Sequence, residues 1–313
     1  MKVLSIDGGG IRGLIPALVL AEIERRTGRR TAEMFDLIAG TSTGGILACG
    51  LTRPGPDGKP LHSADDLAEL YRTEGPKIFD RSLLKRITSV EGLVDERYDD
   101  RGLNAALAAY LGDARLKDAL AEVMITAYDI KDRFAFFFRS SRARTDDAYD
   151  FAMAEADRAT AAAPSYFEPV EVTDAAGART YPLVDGGLFA VNPAMCAYAD
   201  VVGGGGDISV LAALGTGSHT RAYEFDDVKG WGKIEWLQPL LEMVFDGVAD
   251  TVDFQATTLS RGRYRRLQAE LRYSSDALDD AGEANLRRLE GDAERLIAER
   301  TQDIEALCEE VAG

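Results

Sequence analysis

A serine between two glycines gives this sequence its clearest chemical signal. Ser42 lies between Gly40 and Gly44 in a G-x-S-x-G pattern, after the apolar run 34–39 and before the helix-forming run 45–49. Strand, tight turn and helix in this order form the nucleophile elbow of serine hydrolases, which exposes the serine on a strained backbone. Because the pattern also occurs by chance, a linking turn without chemistry is the alternative interpretation.

A second glycine-rich loop follows the first predicted strand. Gly8, Gly9 and Gly10 precede Arg12 in a G-x-G-x-x-G pattern that opens a helix, as in dinucleotide-binding loops. The next predicted strand ends in the serine turn and not in an acidic residue, which counts against a dinucleotide. Consecutive amides at a helix N-terminus also suit a developing oxyanion. We expect an oxyanion hole, with a nucleotide-phosphate site and a structural turn as alternatives.

A nucleophilic serine needs a base, and the chain has only two histidines, His62 and His219. His62 comes too early for the usual serine-acid-histidine order, whereas His219 follows a predicted strand and stays a candidate. Asp185 ends an apolar strand, and Gly186 and Gly187 after it permit close backbone approach. Since the unperturbed pKa of aspartate is about 3.9, burial would have to raise it. Taken alone, Asp-Gly-Gly is equally compatible with an ordinary turn.

The elements that must position these residues follow an α/β pattern. Strands alternate with helices through residue 217, which predicts a three-layer fold with a mostly parallel central sheet flanked by helices. Two long helical stretches follow, 236–259 and 283–311. An apolar stripe on the second predicts docking on its own domain, with a lid or an oligomer interface as the alternative. We expect a catalytic core over 1–220 and a helical C-terminal part over 221–313, within one domain.

Aromatic residues cluster in two places. Residues 134–138 contain four phenylalanines and are predicted to form a strand beside the strand at 122–128. Trp231 and Trp236 lie in the C-terminal part. Either group could line an acyl pocket, but aromatics at such spacing are more typical of a core.

Composition limits the partners and the compartment. With 36 Lys and Arg against 53 Asp and Glu, the net charge is −17, which disfavours nucleic acid and anionic membranes but not a neutral surface. No apolar run reaches about 18 residues. Cys49, Cys196 and Cys308 are odd in number and widely spaced, as in a reduced compartment. We expect a cytoplasmic protein without metal or other cofactor; nothing in the sequence sets an oligomeric state.

The glycine loop, the serine elbow and the Asp-Gly-Gly turn, in this order and spacing, resemble the patatin-like phospholipase family. The segment at 161–167, the pair Asn192-Pro193 and the Gly-Thr-Gly at 215–217 fit the same family. The resemblance covers about residues 1–220 and is far more specific than any one motif.

The resemblance implies a Ser-Asp dyad, in which Ser42 attacks an ester carbonyl and Asp185 acts as general base. Amides of the glycine loop would hold the oxyanion, with Arg12 nearby. The implied substrates are phospholipids, lysophospholipids or other glycerolipids, cleaved through an acyl-enzyme by a phospholipase A or lysophospholipase activity. Peripheral contact with a neutral membrane surface is compatible with this activity. The alternative is an inactive or nucleotide-binding regulatory module that uses the loop at 8–13.

Overall fold

A computed structural model describes residues 1–80, 98–218 and 223–313. Its strands are β1 (Lys2–Ile6), β2 (Leu37–Gly40), β3 (Glu122–Asp129), β4 (Phe134–Arg139), β5 (Val170–Thr173), β6 (Thr180–Asp185), β7 (Val210–Leu214) and β8 (Tyr264–Leu267). They form one sheet in the order β5-β6-β3-β2-β1-β7-β8, and β4 pairs with β3.

Helices cover both faces of this sheet. They are α1 (Leu14–Thr27), α2 (Thr31–Met34), α3 (Thr43–Thr52), α4 (Ala64–Thr73), α5 (Gly75–Ile78), α6 (Asp100–Leu111), α7 (Ser140–Ala143), α8 (Met153–Thr160), α9 (Gly187–Ala190), α10 (Ala194–Gly203), α11 (Phe225–Val228), α12 (Lys233–Leu259), α13 (Glu283–Glu299) and α14 (Thr301–Ala312). Within the described ranges, no helix is long and apolar enough to cross a membrane.

The two cores follow from the alternation of side chains along the strands. Leu4 and Ile6 of β1 pack in the larger core with α1, α3, α4 and α13. Val3 and its neighbours Leu37 and Ala39 on β2 pack on the other face, against α10 and α12. The three-layer α/β architecture predicted from the sequence is therefore confirmed.

The sheet is mixed in its directions. The five strands β3-β2-β1-β7-β8 run parallel, whereas β4 and β6 are antiparallel to β3, and β5 is antiparallel to β6. The turns at 130–133 and 174–179 are too short for a crossover helix, so they join antiparallel neighbours. The predicted pairing of the phenylalanine-rich strand with its predecessor is confirmed, in the register Ile125 to Phe138.

The C-terminal part is mostly helical but also supplies a strand. No pattern in the sequence predicts β8, which pairs in parallel with β7 and places Leu267 opposite Leu214. The apolar stripe on α13 and α14 is buried against α1, as expected for helices that dock on their own domain. Because β8 belongs to the central sheet, we propose that residues 221–313 form one domain with the core.

Candidate active site

Ser42 lies on a sharp turn between β2 and α3. Its φ of 53° and ψ of −123° are strained for a residue with a side chain. A Cβ on Gly40 would lie 2.2 Å from the carbonyl oxygen of Gly44, and one on Gly44 would lie 2.1 Å from that of Ile6. Both flanking glycines are therefore needed for the tight packing of this turn.

The pairing of β3 brings Asp185 to the same place. β2 runs parallel to β3 and ends with Gly40 opposite Ile125, whereas β6 runs antiparallel and ends with Asp185 opposite Ala127. Because β4 occupies the other edge of β3, β2 and β6 share one edge and point towards each other. Their ends meet at Thr126, which lies so close to residue 186 that only glycine fits there.

The carboxyl of Asp185 is buried and only 2% exposed. Its Oδ1 accepts a hydrogen bond of 2.7 Å from the N–H of Gly187. Burial raises the pKa of Asp185 to about 7, although the Gly187 N–H and the Ser42 hydroxyl both lower it. A carboxyl with this pKa is half ionised near neutral pH, where general bases work best.

The glycine loop lies beside the serine: a Cβ on Gly8 would be 3.4 Å from the Cβ of Ser42. The sequence prediction gave all three glycines as oxyanion donors. The N–H of Gly8 donates to the carbonyl of Val191 at 2.9 Å and is therefore not available to an oxyanion. In the described part of the chain, the N–H groups of Gly9 and Gly10 have no such partner. We retain these two as the proposed donors.

Arg12 also lines the cavity at this loop, and it is half-buried. Its Nε lies 3.4 Å from the carbonyl oxygen of Gly9. Burial lowers the pKa of the Arg12 guanidinium, while the carboxylates of Asp246 and Asp276 oppose that change. A cation at this place favours negative charge in the cavity.

The cavity above Ser42 has a volume of about 370 Å³. Its polar lining includes Ser42, Asp185 and the glycine loop, together with Asp246 and Asp250 of α12. Its apolar lining comes from α3, α4, α5, α6, the residue after α5 and the segment before β5, namely Ile46, Leu70, Ile78, Leu103, Phe79 and Phe167. A site of this size, with polar and apolar lining, fits a ligand that has both a polar and an apolar part.

The aromatic clusters identified in the sequence do not form this pocket. Phe136 and Phe138 are buried in the core with Phe151, and Trp231 stacks edge-on against Trp236. The pocket aromatics are instead Tyr71, Phe79, Tyr166, Phe167 and Phe245. No common periodicity marks them, since three of the five lie outside helices and strands and the other two lie on different helices.

One further polar contact at the elbow could not be predicted from the sequence. The backbone N–H of Ser42 donates to the hydroxyl of Thr160 at 2.8 Å, which ties the elbow to α8. Thr160 is a single threonine in an Ala-rich helix, so no local pattern indicates this role.

Of the two histidines, His62 alone lies in the described part of the chain, and it is not part of the candidate site. His62 bonds the carbonyl of Tyr110 through Nε2 and does not line the cavity. His219 lies outside the described residues. Among the described residues, no group of three or more His, Cys, Asp or Glu is arranged to hold a metal ion.

Comparison with known proteins decides the family. The model of the patatin-like phospholipase family matches residues 4–198, which is more than half of the chain. The chain belongs to the patatin-like phospholipase family. It is 35% identical over 308 residues to Patatin-like protein 2 of Arabidopsis thaliana, covering 87% of this chain and 74% of that protein.

Two potato relatives are similar over nearly the whole chain. Patatin-04/09 of Solanum tuberosum is 32% identical over 330 residues, covering 95% of this chain and 83% of that protein. Probable inactive patatin-3-Kuras 1 of the same plant is 32% identical over 329 residues, covering 95% and 86%. Since one relative is named as probably inactive, membership alone does not establish hydrolysis by this patatin-like protein.

Proposed function

We propose that this patatin-like protein is a lipid acyl hydrolase of the phospholipase A or lysophospholipase type, working through a Ser42–Asp185 dyad. The observation that carries the proposal is the meeting of a strained serine and a buried carboxyl at one point of the sheet. The pKa of about 7 makes Asp185 basic enough to accept a proton from the Ser42 hydroxyl.

In the first half-reaction, Ser42 Oγ attacks the ester carbonyl carbon while its proton passes to Asp185. The carbonyl electron pair moves to oxygen, and the N–H groups of Gly9 and Gly10 stabilise the resulting oxyanion, with Arg12 favouring the same charge. When the intermediate collapses, the carbon–oxygen bond to the alcohol breaks. Asp185 returns the proton to that leaving oxygen, and the acyl group remains on Ser42.

In the second half-reaction, water replaces the departed alcohol. Asp185 accepts a proton from the water as its oxygen attacks the acyl carbon. The second tetrahedral intermediate uses the same two amides. Its collapse releases the fatty acid and returns the proton to Ser42, so both residues end the cycle as they began.

The substrate class is supported by the family and by the cavity. The apolar side chains of the cavity suit the hydrocarbon part of an acyl chain, and the reacting carbonyl would lie at Ser42 and the glycine loop. We therefore propose a phospholipid, a lysophospholipid or another glycerolipid as substrate.

Helix α12 offers a surface for contact with a neutral lipid interface. Phe245 and Ala249 on one side line the cavity. On the other side Leu240 and Phe254 are 51% and 72% exposed, with Val244 between them. These three share one face of α12, opposite to the face with Phe245 and Ala249, and form an exposed apolar surface there. The net charge of −17 favours a zwitterionic surface over an anionic one.

The competing proposal is an inactive member that binds ligands without hydrolysing them, and the name of one potato relative favours considering it. A fluorophosphonate probe separates the two, because it reacts covalently only with an activated serine. We expect intact mass to show one adduct on the wild-type chain and none on Ser42→Ala. Ser218→Ala is the matched control, since Ser218 also lines the cavity and should leave labelling unchanged.

An unlabelled wild-type chain would contradict the hydrolase proposal and support the inactive module. An adduct that survives in Ser42→Ala would assign the nucleophile to another residue.

A further inference from the structure

A buried ion pair joins the C-terminal strand β8 to the glycine loop. Arg266 Nη1 donates to Asp7 Oδ1 at 3.0 Å, and Arg266 Nη2 donates to Asp7 Oδ2 at 2.6 Å. The two side chains are only 16% and 3% exposed. Asp7 is the residue immediately before Gly8. A bidentate pair fixes the orientation of a carboxylate as well as its position. Arg266 therefore holds Asp7, the residue at which the glycine loop begins, in one orientation.

The sheet places this pair at the site through register. β1, β7 and β8 are parallel neighbours, and Ile6, Leu214 and Leu267 lie side by side at their ends. The residues that follow therefore meet at one edge of the sheet. Gln268 Oε1 accepts the N–H of Gly217 at 2.8 Å, so β8 also holds the turn after β7.

The turn after β7 makes its own contact with the glycine loop. The hydroxyl of Thr216 donates to the carbonyl of Gly8 at 2.8 Å. On the other side of the loop, the carbonyl of Leu278 accepts the N–H of Ile11 at 2.9 Å. The C-terminal half of the chain thus fixes the loop both before and after Gly9 and Gly10. The contacts made by Arg266, Gln268 and Leu278 lie beyond residues 4–198, which the family model matches.

We infer that Arg266 is a positioning residue for the oxyanion donors, acting through Asp7 on the amides of Gly9 and Gly10. The inference rests on the proposed hydrolase function. A buried ion pair is weak evidence for a stabilising role, because desolvation of both charges offsets much of their attraction. Its place next to the two free amides gives the pair a second role, which is to hold donors where the oxyanion forms.

The test compares Arg266→Lys and Arg266→Gln with Arg265→Gln as the matched control. Arg265 is the adjacent residue on β8 and points to the other face, where it pairs with Glu310. Turnover of a soluble short-chain ester is measured per active site, with sites counted by fluorophosphonate labelling. This normalisation removes any loss caused by misfolded protein.

We expect kcat per site to fall about tenfold to a hundredfold in Arg266→Gln, less in Arg266→Lys, and KM to change less than kcat. Affinity for a long-chain alkyl trifluoromethyl ketone should fall in proportion to kcat/KM, because its adduct with Ser42 places an oxyanion in the hole. The double variant Asp7→Asn/Arg266→Gln should cost no more than Arg266→Gln alone, since the pair acts as a unit. Arg265→Gln should match the wild type.

Two outcomes overturn the inference, and they are distinguishable. If the wild type is active and Arg266→Gln keeps its kcat per site while only the number of sites falls, the ion pair is merely structural and the hydrolase proposal stands. If the wild type neither labels nor turns over any ester, the hydrolase proposal fails and the positioning role fails with it.

Discussion

Ser42 and Asp185 approach each other from opposite ends of one edge of β3. β2, which precedes the serine, runs parallel to β3, and β6, which ends with the aspartate, runs antiparallel to β3. The reversal depends on the hairpin-like link between β5 and β6, which turns the chain back towards the elbow. If β6 ran parallel to β2, its C-terminal residue Asp185 would lie farther from Ser42, because the two strands would no longer end facing each other. The antiparallel edge of this sheet is therefore a condition for the proposed dyad.

The first prediction concerns the base. Asp185→Asn should lower kcat by about a thousandfold or more, because the amide cannot accept the serine proton. For the wild type, kcat/KM should fall about tenfold per pH unit below a pKa of about 7, since only the ionised carboxylate is a base. A pH–rate profile on a soluble ester measures both.

His62→Ala and His219→Ala are the controls for that experiment, and they remove the only two histidines of the chain. Both should keep the wild-type rate and the same acidic limb. Loss of turnover in His219→Ala, with most activity kept in Asp185→Asn, would replace the dyad with a histidine-dependent mechanism.

Local motifs predicted the parts of the site that depend on local geometry. The elbow at Ser42 and the turn after Asp185 could be recognised because each needs glycines at fixed positions beside one reactive residue. Which N–H groups of the loop can bind an oxyanion could not be predicted. The N–H of Gly8 is used in a hydrogen bond to the carbonyl of Val191, a residue far away in sequence. The same holds for β8, whose run of arginines lacks the apolar alternation of a typical strand.

The second prediction concerns the glycines of the elbow. Gly44→Ala should destabilise the fold by about 2 to 4 kcal/mol, because the new Cβ would lie 2.1 Å from the backbone oxygen of Ile6. Gly247→Ala is the matched control within α12, where a Cβ meets nothing within 4 Å. It should stabilise the protein by up to about 1 kcal/mol through helix propensity. Equal denaturation midpoints for the two variants would contradict the packing argument.

The third prediction concerns the exposed face of α12. Leu240→Glu and Phe254→Glu should each weaken binding to phosphatidylcholine vesicles about tenfold, because a charge replaces apolar surface that enters the lipid interface. Turnover of a soluble short-chain ester should be unchanged. Ile130→Glu is the control, as Ile130 is 43% exposed in the β3–β4 turn and away from the cavity. Vesicle binding that is equal in all three variants would remove α12 from the lipid contact.

The fourth prediction concerns Asp157, a carboxyl on α8 that packs behind the elbow against α3. It is fully buried, and among the described residues no N–H or O–H group donates a hydrogen bond to either of its oxygens. Burial raises the pKa of Asp157 to about 8, and the Cys49 thiol lowers it only in part. The folded chain therefore keeps this proton over a pH range in which the unfolded chain has lost it. Stability associated with Asp157 is full below pH 4 and is lost as the pH rises towards 8.

Asp157→Asn removes this titration. The free energy of unfolding of the variant, relative to that of the wild type, should increase between pH 4 and pH 8 by up to about 1.4 kcal/mol per pH unit. Glu22→Gln is the control with the opposite sign: hydrogen bonding from Arg25 lowers the pKa of Glu22 to about 2. The stability that Glu22 contributes is lost only below about pH 4.5, so its variant should run parallel to the wild type from pH 5 to pH 8. Urea unfolding at several pH values measures both differences, and a constant gap for Asp157→Asn would mean that its carboxyl is ionised in the folded protein.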